Sequence, residues 1–281
     1  MERYKEIERT IIKTYRAHLW APFVKALKEF QLLMPGDSVC VCISGGKDSM
    51  LLAKLFQELK RHSDFDFEVK YLVMNPGYNE ENIRLIQQNL DLMQIPAMIR
   101  NTDIFEVAYA QTKTPCYLCA KMRRGALYKL AKEIGCNKIA LGHHYDDVIE
   151  TTLMNMLNNG SFQTMLPKLH SENYEGMELI RPLYYIREKD IVRWVRYNEL
   201  KFLNCACKFT EGIDKSKDLT GSKRYDTKQL IQSLLQYNPF VEKNIFKAPF
   251  NVNADKILGY KLKNKEISFL DDYDKIKQKE E

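Results

Sequence analysis

The sequence has no apolar run long enough to cross a membrane. Its longest stretch without a charged residue, 151–167, contains three Asn, one Gln and one Gly, whereas a membrane-spanning helix needs about 20 mostly apolar residues. The first ten residues, MERYKEIERT, also lack the apolar core of a signal peptide. We therefore expect a cytoplasmic protein that does not associate with a membrane.

Cysteine is too scarce for a disulfide scaffold. The chain has seven cysteines among 281 residues, and an odd number cannot pair completely. Internal repeats, low-complexity tracts and Ser/Gly linkers are absent from the sequence as well, which excludes repeat architectures and long flexible tethers. In a protein without an export signal, we expect these thiols to be reduced or to bind a metal.

What the chain does have is the composition of a globular protein, 45% hydrophobic and 28% charged, which excludes disorder as its main state. Short apolar runs alternate with helix-length segments, which is typical of an α/β fold with a parallel sheet flanked by helices. We predict strands at 38–43, 69–74, 96–100, 138–141 and 180–184, and helices at 49–62, 79–94, 117–134, 146–157 and 188–200. We divide the chain into an N-terminal helical segment (1–30), an α/β domain (31–200) and a mostly helical C-terminal extension (201–281).

A glycine-rich loop follows the first predicted strand and precedes a helix. It consists of Ser44, Gly45, Gly46, Lys47, Asp48 and Ser49. Two glycines allow backbone N–H groups to converge, and the helix N-terminus adds its dipole, so the loop is suited to a phosphate. The spacing differs from both the Walker A and the dinucleotide-binding loops. An acidic Asp48 in an anion site is consistent with a bridging Mg²⁺. The alternative is a simple Gly-Gly turn capped by Ser49.

Two adjacent carboxylates, Asp146 and Asp147, open the helix after the fourth predicted strand, within the segment GHHYDDVIET (142–151). Carboxylates in a first turn can be simple caps. Ligands of parallel sheets, however, bind at the carboxyl ends of the strands, and there either carboxylate can bind Mg²⁺ or the substrate. We interpret the neighbouring His143 and His144 as hydrogen-bonding residues rather than metal ligands.

Four cysteines fall in two short motifs, Cys116-x-x-Cys119 and Cys205-x-Cys207. The first places two thiols on one side of a helical turn, a spacing that suits zinc, an iron–sulfur cluster or a redox pair. The alternative is a set of unrelated core thiols. The other three cysteines, Cys40, Cys42 and Cys136, we interpret as buried structural residues.

Positive charge is concentrated around these cysteines. Residues 112–132 contain six Lys and Arg and no acidic residue, and residues 181–230 contain twelve Lys and Arg against seven Asp and Glu. Such runs can be solvated helix faces, but beside a reactive site they also suit an RNA backbone. Tyr117 and Tyr145 are candidate platforms for stacking splayed bases.

The loop motif SGGKDS resembles that of the ATP pyrophosphatase (PP-loop) superfamily, whose members split ATP between its α and β phosphates. GHHYDDVIET narrows this to the tRNA 2-thiocytidine synthetase family (TtcA), and the segments at 155–160, 165–168 and 180–190 agree with it. The resemblance covers about residues 30 to 210. We can assign no chemistry to the tail that begins near Phe240.

The resemblance implies a Rossmann-like fold and an ATP- and Mg²⁺-dependent enzyme that adenylates C2 of an anticodon-loop cytidine and replaces its oxygen with sulfur. It implies catalytic roles for Lys47, Asp48, Asp146 and Asp147, and nucleotide contacts from loop residues 44–49, Gly142 and, after the second strand, Asn75.

The same resemblance implies a 4Fe–4S cluster with three cysteine ligands. Cys116 and Cys119 match two of them, and the third is Cys205 or Cys207, of which we prefer Cys205. The expected partners are tRNA, a sulfur donor such as a cysteine desulfurase or free sulfide, and a second copy in a homodimer. The alternatives are thiolation of a different base or small molecule, and a non-catalytic RNA-binding protein that holds zinc or a cluster.

Overall fold

A computed structural model describes residues 2–110, 115–203, 223–263, 265–271 and 273. In it, five parallel strands and one antiparallel edge strand form a central sheet with the order β3-β2-β1-β4-β6-β5. The strands are β1 (Ser38–Ile43), β2 (Glu68–Asn75), β3 (Ala97–Asn101), β4 (Lys138–Ala140), β5 (Lys168–His170) and β6 (Glu178–Ile180). The predicted α/β fold with a mostly parallel sheet is confirmed.

Ten α-helices are present in the described part of the chain. They are α1 (Arg3–Arg9), α2 (Ala21–Glu29), α3 (Lys47–His62), α4 (Glu80–Met93), α5 (Ile104–Ala110), α6 (Pro115–Glu133), α7 (Tyr145–Asn159), α8 (Glu188–Tyr197), α9 (Lys223–Leu235) and α10 (Val241–Lys247). Two π-helical segments, Thr10–Thr14 and Arg16–Trp20, join α1 to α2. No helix among these residues has both the length and the apolar character required to cross a bilayer.

The two faces of the sheet are covered by different helices. On β1, Val39, Val41 and Ile43 point into a large core that includes residues of α3 and α4, while Cys40 and Cys42 point into a smaller core against α6. This alternation follows from the two-residue period of a strand. It confirms that Cys40 and Cys42 are buried, and Cys136 is buried in the same smaller core.

The strand order reverses between β1 and β4. The helix after β1 lies on one face of the sheet and α6, which leads into β4, lies on the other. A crevice therefore opens at the carboxyl ends of these two strands, where open α/β sheets bind their ligands.

The structure corrects one of the expected elements. The strand predicted at 180–184 ends at Ile180, and a turn follows from Pro182, because proline cannot donate a ladder hydrogen bond. The C-terminal extension, predicted to be mostly helical, contains α9 and α10 and in addition the hairpin β7 (Gly259–Leu262) and β8 (Lys265–Ser268). From α9 and α10, Ile231 and Phe246 join the main core.

A buried lysine ties the N-terminal segment to the sheet. The Lys54 side chain is 0% exposed, and its Nζ donates to Glu8 Oε1 at 2.6 Å and to the Met93 carbonyl at 2.8 Å. Burial lowers the pKa of Lys54 below the ordinary lysine value, against the opposing effect of Glu8. Glu8 also accepts from Arg61 Nη1 at 2.8 Å.

We predict that Glu8→Gln lowers the free energy of unfolding by about 3 kcal/mol, because it leaves the buried Lys54 ammonium without an anion. Lys54→Met should cost less than about 1.5 kcal/mol, since methionine has a similar volume and needs no counter-ion. Urea unfolding measures both. Glu2→Gln, in an exposed pair with Lys5, is the control and should leave stability unchanged. Equal losses for Glu8→Gln and Lys54→Met would contradict the prediction.

Candidate active site

The loop from Ser44 to Ser49 joins β1 to α3 and is held in one shape by its own hydroxyls. The Ser44 N–H donates to Ser49 Oγ at 3.1 Å, and Ser49 Oγ donates to the Gly46 carbonyl at 2.9 Å. Gly45 has φ +83°, and a Cβ there would lie 2.7 Å from Ile86 Cγ1. Gly46 at the N-cap of α3 offers no side chain to the first N–H groups of the helix, which leaves them to an anionic ligand.

The β4–α7 connection packs directly against this loop. A Cβ on Gly142 would lie 3.1 Å from the Ser49 nitrogen, so a side chain there would push the two backbones apart. At the start of α7, the Asp147 N–H donates to His144 Nδ1 at 3.4 Å, and the His144 N–H donates to Asp147 Oδ2 at 2.9 Å. Asp147 is thus part of a reciprocal helix cap, as the simpler interpretation of the motif expected, and it also lines the cavity described below.

Asp146 is engaged away from that cavity. Its carboxylate accepts from Arg187 Nη2 at 3.0 Å and from the Glu188 N–H at 2.6 Å, and it is absent from the cavity lining. In the structure, Asp146 therefore anchors the start of α8, while Asp147 faces the cavity.

Lys47 lies between two carboxylates, with its Nζ 3.1 Å from Asp48 Oδ2 and 3.1 Å from Glu188 Oε1. Glu188 also accepts from Lys228 Nζ at 2.6 Å. Burial alone would raise the pKa of Glu188, but the hydrogen bond from Lys228 and the charge of Lys47 lower it to about 2. The sequence reasoning missed the roles of Glu188 and Lys228, although Glu188 falls in the 180–190 segment that supported the family resemblance.

The C-terminal helices contribute charges to this site. Arg224 of α9 lies 3.2 Å from Asp147 Oδ1 and 3.1 Å from Glu150 Oε2. From α10, Glu242 lies 2.6 Å from Arg187. No local sequence motif indicates either contact, because the partners are far apart in the sequence. Glu242 also lies in the tail to which no chemistry was assigned.

A cavity of about 510 Å³ lies between α6 and the carboxyl ends of β1, β4 and β6, a size typical of small-molecule sites. Its polar lining consists of Ser44, Asp48, Ser49, Arg123, Arg124, His143, Asp147 and Arg181. Asp48 Oδ1 is enclosed and has no hydrogen-bond partner among the described residues. It lies 3.9 Å from His144 Nε2, and burial raises the pKa of Asp48. An unsatisfied carboxylate oxygen of this kind can bind a hard cation.

Asn75 shapes the loop after β2. Its Oδ1 accepts from the Gly77 and Tyr78 N–H groups at 3.0 and 2.7 Å, and its amide donates to Asn101 at 3.0 Å. The adjacent Met74 lines the cavity, and Asn75 does not. A direct nucleotide contact from Asn75 stays a prediction.

The proposed cluster ligands are only partly within the described residues. Cys116 lies in the first turn of α6 and Cys119 one turn later, where it is half-buried. Cys205 and Cys207 lie outside the described residues. Leu203, two positions before Cys205, donates its N–H to the Gly45 carbonyl at 3.1 Å. Across the described ranges, no three His, Cys, Asp or Glu side chains converge as a metal site.

Tyr145 is not an open stacking platform, and that expectation is wrong. One face stacks on Phe246 with 4.2 Å between ring centroids, and the Arg187 guanidinium lies 4.8 Å from the ring centroid. Both partners are distant in sequence, so the motif did not reveal them. The side chain of Tyr117 is outside the described set.

The His143 side chain lines the cavity and is uncharged at neutral pH. Burial lowers its pKa to about 4, and its Nδ1 is enclosed without a hydrogen-bond partner among the described residues. A neutral imidazole can both donate and accept a hydrogen bond. His143 is thus equipped to contact a polar ligand at neutral pH.

The PP-loop domain model matches residues 19–208 of this chain. A tRNA-cytidine(32) 2-sulfurtransferase of Coxiella burnetii (strain RSA 493 / Nine Mile phase I) is 35% identical over 246 residues, covering 85% of this chain and 91% of the relative. The enzyme of the same name from Geotalea uraniireducens (strain Rf4) is 33% identical over 243 residues, covering 85% and 93%.

The chain therefore belongs to the PP-loop family, and its relatives there are tRNA-cytidine(32) 2-sulfurtransferases. Among solved structures, it is similar to the U34-tRNA thiolase NcsA from Methanococcus maripaludis with its 4Fe–4S cluster. That match has a TM-score of 0.62 and 21% identity and covers 81% of this chain and 76% of the thiolase, which shows a shared fold. The family resemblance inferred from the sequence motifs is confirmed.

We predict that His143 titrates near pH 4 in the folded chain, against about 6.5 for an ordinary histidine. Because the folded pKa is depressed, His143 contributes stability that is fully present above pH 6.5 and is lost as the pH falls through about 4. NMR titration of the imidazoles, assigned with His143→Asn, measures the pKa.

His143→Asn should also flatten the pH dependence of the melting temperature between pH 6.5 and 4. His170→Asn is the matched control, because the His170 side chain is 89% exposed and the substitution should leave the profile intact. A His143 that titrates near 6.5 would contradict the prediction.

Proposed function

We propose that this chain is an ATP-dependent tRNA-cytidine 2-sulfurtransferase. The observation that carries the proposal is that the Ser44–Ser49 loop, the Asp48 and Asp147 carboxylates, and α6, through Ala120, Arg123 and Arg124, line one cavity at the carboxyl edge of the sheet. The Cys116-x-x-Cys119 motif lies at the start of this same helix. The family relationship supplies the reaction, and this juxtaposition supplies an ATP site beside candidate sulfur-carrying thiols.

Adenylation uses the loop. The N–H groups at the start of α3 and the Lys47 ammonium face the pyrophosphate portion of ATP, where both stabilise negative charge. The C2 oxygen of the cytidine attacks the α-phosphorus, the bond to the bridging oxygen of the β-phosphate breaks, and pyrophosphate leaves. Glu188 holds Lys47 in position, since its carboxylate lies 3.1 Å from the ammonium.

Two carboxylates fit a magnesium ion. Asp48, with its unsatisfied enclosed Oδ1, and Asp147 on the facing strand end both line the cavity, and carboxylate oxygens are the donors that Mg²⁺ prefers. We propose that they hold the ion, which neutralises phosphate charge when it is bound. Arg224 already balances Asp147 from the other side.

The thiols fit an iron–sulfur cluster. Cys116 and Cys119 lie in the first turns of a helix whose other charges are largely basic, and both the helix N-terminus and nearby cations favour thiolates. We propose Cys205 as the third ligand, with Cys207 as the alternative. If bound by these cysteines, the cluster would supply sulfur for transfer to the substrate.

The partners in this proposal are tRNA and a sulfur donor, such as a cysteine desulfurase or free sulfide. Residues 112–132 contain six Lys and Arg and no acidic residue, and such an excess of positive charge near the site suits an RNA backbone. We also propose a cytoplasmic location and a homodimer.

We predict that cells lacking this protein contain tRNA without 2-thiocytidine, and that the wild-type gene restores it. Mass spectrometry of nucleosides from purified tRNA measures the modification. Uridine thiolation in the same sample serves as the internal control and should not change. Loss of a thiouridine with intact 2-thiocytidine would assign a different base, and an unchanged profile would reject tRNA thiolation.

We further predict that adenylation and sulfur transfer separate by variant. Lys47→Ala should lower both pyrophosphate release and thiolation by about 100-fold or more, because an electrostatic stabiliser of the reaction is lost, yet it should retain iron. Cys116→Ser should lose iron and thiolation but still release pyrophosphate from ATP with tRNA. Anaerobic iron and sulfide analysis and a thiolation assay measure these effects.

Cys136→Ala is the matched control for the cysteine variant, because Cys136 is buried in the smaller core and its removal should preserve iron and activity. Full thiolation by either Lys47→Ala or Cys116→Ser would contradict this mechanism.

A further inference from the structure

The cavity contains an arginine, Arg181, that forms no ion pair with any described residue. Arg181 follows β6, and its Nη1 donates to the Leu166 carbonyl. Its Nε is enclosed and has no hydrogen-bond partner, and Arg181 makes no ion pair with any described carboxylate. An enclosed guanidinium is normally matched by an anion, because desolvation of an unpaired charge is costly.

Two further arginines share this wall. Arg123 and Arg124 of α6 line the same cavity and also make no ion pair within the described residues. Two arginines outside the cavity lining are matched: Arg187 by Asp146 and Glu242, and Arg224 by Asp147 and Glu150. Of these arginines, those that line the cavity are thus the ones without an ion pair among the described residues.

We propose that Arg181, assisted by Arg123 and Arg124, binds the phosphate that links the adenosine to the activated base. This site is separate from the Ser44–Ser49 loop, which takes the departing pyrophosphate. The inference rests on the proposed function, and it assigns to Arg181 a role in holding the adenylate after pyrophosphate has left.

The location favours a nucleotide phosphate over a phosphate of the tRNA backbone. Arg181 lies within the same cavity of about 510 Å³ as Ser44 and Asp48, and the enclosed Nε faces no solvent. A polynucleotide backbone follows the protein surface, whereas a single phosphate group can enter such a cavity. Burial lowers the pKa of Arg181 only to about 10, so the side chain remains a cation at neutral pH.

The phosphate group gains negative charge during the sulfur-transfer step, and this gives Arg181 a chemical role. When sulfide sulfur attacks C2, a C–S bond forms and the C2–O bond breaks, and the electron pair stays on the oxygen that leaves as part of AMP. The phosphate group thereby changes from one negative charge to nearly two. A guanidinium that contacts it stabilises the leaving group more than the bound adenylate, and this accelerates the step.

Binding measurements on the cluster-loaded full chain test the assignment. We expect Arg181→Gln to weaken AMP binding by about 10-fold or more, since a charge-assisted contact is lost, and to leave adenosine and pyrophosphate affinities within about twofold. The AMP affinity of Arg181→Lys should lie between those of the wild type and Arg181→Gln, because lysine keeps the charge but lacks the planar, two-pronged guanidinium. The matched control is Arg193→Gln on α8, an exposed arginine paired with Asp190, which should change none of these affinities.

The stability of the unliganded chain gives a second readout. If Arg181 serves a ligand, Arg181→Gln should leave the melting temperature unchanged or raise it, because an unmatched charge has been removed. AMP should then raise the melting temperature of the wild type more than that of the variant. A lower melting temperature of the unliganded variant would indicate a structural arginine and overturn the proposal.

The remaining outcomes are also decisive. Equal losses of AMP and adenosine affinity, or an unchanged AMP affinity, overturn the proposal. Loss of tRNA affinity with intact AMP binding assigns the arginine to the RNA backbone and also overturns it. Pyrophosphate release by the wild type tests the proposed function separately. If pyrophosphate is released but AMP affinity does not depend on Arg181, only this inference fails. If the wild type neither binds AMP nor releases pyrophosphate, both the inference and the proposed function fail.

Discussion

The reversal of strand order between β1 and β4 is the constraint on which the site depends. Because α3 and α6 cover opposite faces of the sheet, a crevice lies between them at the carboxyl edge of these strands, and residues of both helices line it. The phosphate loop, the His143–Asp147 turn and Arg181 each follow a different strand and meet there. The close approach of Gly142 to the Ser49 nitrogen then fixes how near the first two of these elements lie.

Charge is sorted across this crevice. The carboxylates that follow β4 are balanced by Arg187, just before α8, and by Arg224 of α9, and Lys47 is held by Glu188 of α8. On the side of the cavity formed by α6 and the end of β6, Arg123, Arg124 and Arg181 have no such partners among the described residues. The C-terminal helices therefore bring charges to the carboxylates of this crevice, although they contribute no motif residue, and Phe246 of α10 stacks on Tyr145.

Sequence reasoning was sufficient where the signal is local. The loop, its glycines and the Asp146–Asp147 pair are contiguous, and their chemistry follows from residue types at short spacing. It was insufficient where a contact joins distant positions. Glu188 contacts Lys47 and Arg224 contacts Asp147, and no periodicity links them. The antiparallel edge strand β5 has only three residues, too few for a recognisable alternation of polar and apolar side chains. The strand predicted at 180–184 ends early because Pro182 interrupts the pairing.

The position of Cys119 and Arg123 on one helix, α6, limits where the sequence tolerates insertions. Cys119 and Arg123 are four residues apart on it, so they lie about 6 Å apart along the axis and nearly on the same side. One inserted residue between them would rotate the arginine by about 100° away from the cavity. The distance between Cys119 and Arg123 is thus set by helical pitch, so insertions are tolerated better in the loops around α6 than within the helix between these two residues.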